Sequence, residues 1–319
     1  MVPLIRALLS TWEWRPDVTV VLVLLGTLYV VGWRRLRSRS QQPKLATKRR
    51  LAAYVSGLAI LAISLLSPID LLGSQLFFMH MIQHMLMMMV AAPLMWLGEP
   101  FPIGLWGFPV KLRQSIGRGF AREAGLRRLV VTATKPGVAW LAFICIFAGW
   151  HDPNAYNLAQ GHGWVHNFEH ISFFVGSLLF WWHIVGAGPR LHGRVSVWAR
   201  LAMLIGMIPV NMIAGIVIAT ASEVIYTYYN TVPHIWGFTA LEDQAIGGVI
   251  MWISGSEMVV WAVLFLLASF SRDEDRRHPR LAVQWDSEEK MMAPGLEHRI
   301  IQNKWRKLAA SKAEPSDVL

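Results

Sequence analysis

The chain has 319 residues, of which 54% are hydrophobic and only 16% are charged, and its formal net charge is +10. Soluble domains carry about 25% charged residues, and the apolar residues here form long runs, so the composition excludes a soluble globular protein. Because Cys145 is the only cysteine, a disulfide framework and a paired-thiol metal motif are excluded as well. We expect Cys145, which lies within an apolar run, to be a small buried residue.

Seven apolar segments are long enough to be candidate transmembrane helices. In chain order they are Val18–Trp33, Leu51–Ser67, Leu76–Leu97, Pro136–Trp150, Val165–Ala187, Ala199–Ser222 and Ala245–Phe270. We therefore predict an all-α polytopic membrane protein, with a seven-transmembrane-helix bundle at residues 1–270 and a charged cytoplasmic tail at residues 271–319. The apolar stretch at residues 3–9 is too short for the core of a signal peptide, so no cleaved signal is expected.

The distribution of basic residues predicts the orientation of these spans. Lys and Arg fill the first, third and fifth loops and the tail, whereas the second, fourth and sixth loops contain none. Of the 30 basic residues, only Arg6 and Arg15 lie on the other side. By the positive-inside rule the N-terminus is outside and the C-terminus is cytoplasmic. Topology and contact with anionic membrane lipids account for the net charge, so no nucleic-acid partner is expected.

The third segment carries two histidines, His80 and His84, one helical turn apart. An imidazole inside hydrocarbon is costly unless it has a partner, so it indicates a functional site. Residues at i and i+4 share a helix face, and Met88 continues that face by one more turn. Imidazole and thioether are ligands that suit copper ions. Of the methionines in this segment, Met88 is the best candidate ligand, and the others are expected to be apolar filler.

Other histidines gather at the same, outer side of the predicted bundle. His151 follows the fourth segment, and His166 and His170 repeat the i, i+4 spacing at the start of the fifth. Facing helices build cofactor sites in bundles in this way. Glu169 or Asp152 could orient a ligating imidazole by accepting its other N–H. The alternative is a hydrogen-bonded network that only holds the helices together. The bends expected at Pro93 and Pro209 would free backbone carbonyls near their spans.

Three segments resemble the CtaG family of multi-spanning cytochrome c oxidase assembly factors. They are HMIQHMLMMMVAAPLMWLG at residues 80–98, WHDPNAY at 150–156 with VHNFEHISFFVGSLLFWW at 165–182, and DQAIGGVIMW at 243–252. The resemblance covers about residues 18–270. The positions that match the family's polar signatures are His80, His84, His151, His166, His170 and Asp243.

This resemblance implies a seven-helix protein of the bacterial plasma membrane that is needed to mature the haem-copper terminal oxidase. It implies partners among the oxidase subunits and an extracytoplasmic donor of copper. We therefore expect a non-catalytic protein that binds copper, preferably Cu(I), at an outer-face site and delivers it to the oxidase. The expected ligands are His80, His84, His151, His166, His170 and Met88, with Glu169, Asp152 and Asp243 supporting them.

Three alternatives remain open on the sequence alone. Paired histidines on facing helices can hold a haem, which would make the chain a haem-binding or electron-transfer protein. Clustered imidazoles and carboxylates can also form a di-metal hydrolytic site, although no HExxH or comparable motif is present. Finally, the polar cluster can belong to an assembly scaffold with no metal at all.

Overall fold

The computed structural model describes residues 12–39, 45–119, 125–189, 191–193, 195–277 and 297–313. Every regular element in these ranges is a helix. The α-helices, numbered in chain order, are α1 (Pro16–Ser38), α2 (Lys48–Leu66), α3 (Pro68–Gly73), α4 (Phe77–Met85), α5 (Ala92–Leu97), α6 (Pro100–Leu105), α7 (Val110–Gly119), α8 (Gly125–Ala133), α9 (Pro136–Trp150), α10 (Pro153–Gly161), α11 (Gly163–Val185), α12 (Val197–Ile205), α13 (Met207–Thr220), α14 (Ala240–Arg277) and α15 (Glu297–Ala313). A π-helical segment (Leu86–Ala91) joins α4 to α5, and short 3₁₀ turns occupy Thr227–Asn230 and Ile235–Gly237.

Within the described residues, six helical segments are long and apolar enough to cross a membrane. They are α1, α2, the α4–α5 segment, α11, the α12–α13 segment and the first 32 residues of α14. A seventh is obtained when α8 and α9, which are bent by 60° at their junction, are counted as one span. The predicted all-α, multi-pass membrane protein is therefore confirmed. The orientation of the termini and the boundary at residue 270 stay predictions.

The faces of these helices show which side meets lipid. On α1, Val20, Val21, Val23 and Leu24 are each more than half exposed, as expected for side chains that contact acyl chains rather than protein. On α9, Ala139, Phe143 and Phe147 recur every fourth residue and are buried, so one stripe packs inward. Cys145 lies off that stripe and is exposed, so the expectation that it is buried was wrong.

The two predicted proline bends take different forms. Proline lacks an N–H and its ring collides with the carbonyl four residues earlier. For Pro209 that carbonyl belongs to Ile205, where α12 ends and α13 begins two residues later. For Pro93 it belongs to Met89, which lies inside the π-helical segment. The backbone there widens instead of breaking, and the Ala92 N–H donates to the Met87 carbonyl five residues back.

The widened turn leaves the Met88 carbonyl without its usual helical donor, because Ala92 bonds to Met87 instead. The indole Nε1 of Trp181, on α11, donates to this carbonyl at 2.9 Å. This is the kind of cross-helix partner that allows an irregular turn at membrane depth. The bond fixes the middle of the third span against α11.

Two further polar side chains, Asp243 and Gln83, fix α4 in place. Asp243, on α14, accepts the backbone N–H groups of Phe77 at 2.7 Å and of Phe78 at 3.0 Å, one with each carboxylate oxygen. Gln83 donates from its amide to the Ser64 carbonyl at 2.8 Å and to Asp70. These contacts tie α4 to α14, α2 and α3 at the level of His80 and His84.

Candidate metal centre

Four imidazoles meet between α4 and α11. His80 and His84 lie one turn apart on α4, and His166 and His170 do so on α11; their ring centroids are 4.2 and 4.3 Å apart. Across the interface the centroid distances are 5.3 Å for His80–His166 and 5.1 Å for His84–His170. We call these four residues the imidazole quartet. Its formation follows from the i, i+4 spacing, because each helix places both of its imidazoles on the face turned toward the other.

Glu169 brings a carboxylate into the quartet. Its side chain is fully buried, and its Oε1 lies 3.6 Å from Nε2 of His80 and 3.9 Å from Nε2 of His84. Both distances exceed that of a hydrogen bond. Neither carboxylate oxygen has a hydrogen-bond partner among the described residues. Since burying an unpaired carboxylate is costly, the site suits a cation held between this carboxylate and the imidazoles.

The imidazole nitrogens are unpaired as well. In the described part of the chain, no hydrogen bond reaches Nδ1 or Nε2 of His84, Nε2 of His166 or Nε2 of His170, although all are buried. Buried polar atoms are paired in the large majority of cases, so several unpaired ones around one point indicate a site that can bind a ligand. A single buried polar atom without a partner, by contrast, would be an ordinary irregularity.

The geometry of these atoms fits a metal ion. Ligand atoms of His80, His84 and His170 all lie within 4.8 Å of one another, and so do those of His80, His166 and Glu169. Two nitrogens bound to one metal at about 2.0 Å in tetrahedral geometry stand about 3.3 Å apart. A small inward movement of the rings therefore suffices to close a coordination sphere.

The surroundings hold the quartet in place. The Gln160 amide lies 3.3 Å from Nδ1 of His80, and the ring of Tyr156 packs edge-on against the same imidazole. The Tyr229 hydroxyl donates to the Gly73 carbonyl at 3.0 Å, so the Tyr156 hydroxyl is the donor in its 2.9 Å contact with Tyr229. Gln160 and this tyrosine pair were not anticipated. The role of Gln83 was predictable from the sequence, because Gln83 is a polar residue inside an apolar span.

His151 lies beside the quartet rather than in it. Its ring packs on Phe147, and both His151 and His84 contact Phe173, whose ring centroid is 6.1 Å from His151 and 4.6 Å from His84. Nδ1 of His151 lies 2.7 Å from the Phe147 carbonyl. A carbonyl can only accept, so Nδ1 carries the proton. In the neutral ring Nε2, which is buried and unpaired within the described chain, keeps its lone pair.

The other predicted site residues have different placements. Met88 is buried and lines a cavity together with His84 and His151. Asp152 is exposed, and its Oδ1 accepts the N–H groups of Asn154 and Ala155, so it caps α10. Asp243 caps α4, as described above. The support expected of Asp152 and Asp243 for a metal ligand stays a prediction, whereas Glu169 reaches the quartet directly.

Comparison with known proteins identifies similar sequences. Residues 27–273 match the family model of the cytochrome c oxidase caa3 assembly factor. Uncharacterized proteins of Mycobacterium bovis and Mycobacterium tuberculosis are each 28% identical to this chain over 288 residues, and one of Mycobacterium leprae is 27% identical over 287 residues. These alignments cover 86% of this chain but only 41% of each relative. No solved structure matches the chain.

Proposed function

Because the chain belongs to the family of cytochrome c oxidase caa3 assembly factors, we propose that it binds copper at the imidazole quartet and delivers it to the haem-copper terminal oxidase. The observation that carries this proposal is the cluster of buried, unpaired nitrogens and carboxylate oxygens between α4 and α11. Copper is the cargo of the protein, and no catalysis is proposed.

The ligand chemistry supports copper. Imidazole is a ligand that suits copper ions, Cu(I) included. The Glu169 carboxylate, which lies beside two imidazoles, offsets one positive charge of the ion. A carrier must also release its cargo. The ligand groups are small, with three residues each in His80–His84–His170 and His80–His166–Glu169, which favours an exchangeable site over a closed four-ligand cage.

The ring geometry favours a single ion over haem. The centroids of the quartet lie between 4.2 and 5.6 Å apart, both within each helix and across the interface. The two imidazoles that bind a haem iron lie on opposite faces of the porphyrin, so a flat space large enough for the whole macrocycle must lie between them. Here the neighbouring imidazoles of the same quartet fill that space. A Soret band in the purified protein that is lost in His84→Ala would favour haem instead.

We propose that the N-terminus lies outside the bacterial plasma membrane and the tail inside, in line with the positive-inside rule. The quartet, at the start of α11 and in the first half of the third span, then opens toward the outer face. There it would receive copper from an extracytoplasmic donor and meet the oxidase subunits. The chain spans about 41% of the length of its mycobacterial relatives, so the activity of those longer proteins is not assigned to it.

A complementation experiment tests this function. Cells that lack the gene are given the wild type, His80→Ala with His84→Ala, or the control His162→Ala, whose exposed ring lies outside the quartet. We expect the double variant to accumulate to a normal level while the oxidase loses copper and activity. The control should restore both. Loss of the protein itself together with the oxidase would support a scaffold instead, and full activity of the double variant would contradict copper delivery.

A further inference from the structure

A cavity lies next to the imidazole quartet and shares His84 with it. Its free volume is about 30 Å³, and four spans contribute to its walls, namely the third span, α9, α13 and α14. Six thioethers line it, from Met81, Met85, Met88, Met89, Met207 and Met251. We call this cavity the methionine chamber. The chain has 15 methionines in all, so a large share of them converges on one space.

The walls of the chamber contain ligands for a soft ion and no fixed charge. Besides the thioethers, His84 and His151 contribute imidazoles, and the described lining contains no Asp, Glu, Lys or Arg. The remaining polar side chain of the lining, Asn211, donates its amide to the Met251 carbonyl at 2.9 Å. Neutral thioether and imidazole ligands select Cu(I) over harder ions. The quartet differs because it includes the Glu169 carboxylate.

Two buried imidazoles offer unpaired nitrogens at the chamber. His84 is only 3% exposed, and neither of its ring nitrogens has a hydrogen-bond partner within the described ranges. His151 uses Nδ1 to bond the Phe147 carbonyl, which leaves Nε2 with a lone pair and no partner there. Ordinary packing accounts for buried methionines, but it does not account for buried imidazole nitrogens that make no hydrogen bond.

The backbone explains why the methionines converge. Met81, Met85, Met88 and Met89 follow one another at helical spacing along α4 and the π-helical segment, so they lie on one face with His84. The widened turn before Pro93 holds this face open. Met207 at the start of α13 and Met251 on α14 complete the opposite wall. Met87 and Met95 are equally buried but do not line the chamber.

We propose that the methionine chamber is a second metal site, which binds Cu(I) and exchanges it with the quartet through His84. This inference rests on the proposed function, since the quartet is the other partner in the exchange. The ion stays Cu(I) throughout. It moves by replacing quartet ligands with thioethers while His84, which belongs to both sites, remains within reach, so no electron or proton needs to be supplied.

Copper binding to the purified full-length protein tests this proposal. The protein is loaded with Cu(I) in the absence of oxygen, and the number of bound ions is determined by competition with a Cu(I) chelator. The copper K-edge absorption spectrum is then recorded. We expect two Cu(I) ions per chain and both sulfur and nitrogen neighbours of copper. Met88→Leu with Met251→Leu should lose one ion and the sulfur signal. Met87→Leu with Met95→Leu, the matched control with the same nearly volume-conserving change, should retain both.

Selenomethionine labelling repeats the test without any substitution, in case the leucine variants do not fold. The selenium K-edge spectrum of the Cu(I)-loaded protein should show a copper neighbour. A wild-type spectrum without sulfur or selenium neighbours of copper, or an unchanged count in Met88→Leu with Met251→Leu, would overturn the chamber.

A third variant separates this outcome from failure of the proposed function. His80 and His166 belong to the quartet but do not line the chamber. His80→Ala with His166→Ala should lose the nitrogen-bound ion and keep the sulfur-bound one. If this variant keeps both ions, copper binding by the quartet is wrong, whereas the chamber is judged only by the methionine variants and the selenium spectrum.

Discussion

Glu169 lies among four imidazoles with no hydrogen bond to either oxygen in the described part of the chain. In a buried site a carboxylate strengthens cation binding because its charge is poorly screened. The same burial makes the carboxylate costly when no cation is present. If the quartet binds a metal as proposed, Glu169 should couple the stability of the α4–α11 interface to the presence of that metal.

Replacing Glu169 with Gln should weaken copper binding about 10- to 100-fold, the range seen when residues that support a metal ligand are changed. The substitution removes the charge while keeping the size of the side chain. Titration of Cu(I) against a competing chelator measures the effect. Glu223→Gln, at an exposed position, is the control and should bind copper as the wild type does. Equal affinity in both variants would show that the ion does not lie beside Glu169.

At the scale of single residues, the quartet was predictable because i, i+4 spacing fixes which side chains share a helix face. The cap formed by Asp243 was not, because it depends on the packing of α14 against the start of α4, which are 165 residues apart in sequence. The position of His151 outside the quartet was equally hidden. It depends on how the end of α9 packs beside α4 and α11, and the sequence does not show this packing.

Among the helices, α4 depends on its neighbours for the groups at its first turn. The two N–H groups of Phe77 and Phe78 would be unpaired without Asp243, because the N-terminal N–H groups of a helix have no partner within it. Gly247, one turn further along α14, allows the same contact: a Cβ atom added there would lie 2.2 Å from the ring of Phe77. Together, Asp243 and Gly247 bring α4 and α14 into close contact.

Asp243→Asn should destabilise the protein by about 1–3 kcal/mol, the cost of a buried unsatisfied group. Asp243 uses both oxygens as acceptors, so the amide nitrogen of Asn would face an N–H group. Asp152→Asn is the matched control, because Asp152 caps α10 with Oδ1 alone and Asn caps as well as Asp. Thermal unfolding in detergent should show a lower midpoint for Asp243→Asn only. Equal midpoints would contradict the role given to the cap.

Gly247→Ala should also destabilise the protein, by about 1–3 kcal/mol, because the added methyl group overpacks the contact with Phe77. The comparable change Gly149→Ala on α9 meets no atom within 4 Å and should be nearly neutral. Resistance to protease in detergent measures the difference. If Gly247→Ala is as resistant as the control, the contact between α4 and α14 can relax without cost.

The apolar runs located most helices within a few residues, since long apolar stretches in lipid must form hydrogen bonds within the helix. The predicted third segment, Leu76–Leu97, corresponds to a helical stretch from Phe77 to Leu97. The form of each proline bend was less predictable. Pro209 interrupts its span, whereas Pro93 widens its own into a π-helical turn, because Trp181 is there to bond the freed Met88 carbonyl.

On the scale of the whole molecule, the charge asymmetry makes a prediction about orientation that the fold itself leaves open. In a Cys145→Ser background, single cysteines at Thr231, between α13 and α14, and at Ser38, near the end of α1, occupy exposed positions. In intact cells a membrane-impermeant maleimide should label Thr231→Cys and not Ser38→Cys. Detergent permeabilisation should expose both. The reverse pattern would place the quartet at the cytoplasmic face.

Copper delivery as proposed requires a metal at the quartet, and the copper content of the purified protein tests this most directly. The wild type and His162→Ala, whose ring is exposed, should each retain at least one copper ion per chain and show no Soret band. His80→Ala with His84→Ala should remain folded and hold at least one copper ion fewer than the wild type. A wild type that binds no copper at a stoichiometric level, or equal copper in all three proteins, would contradict the account.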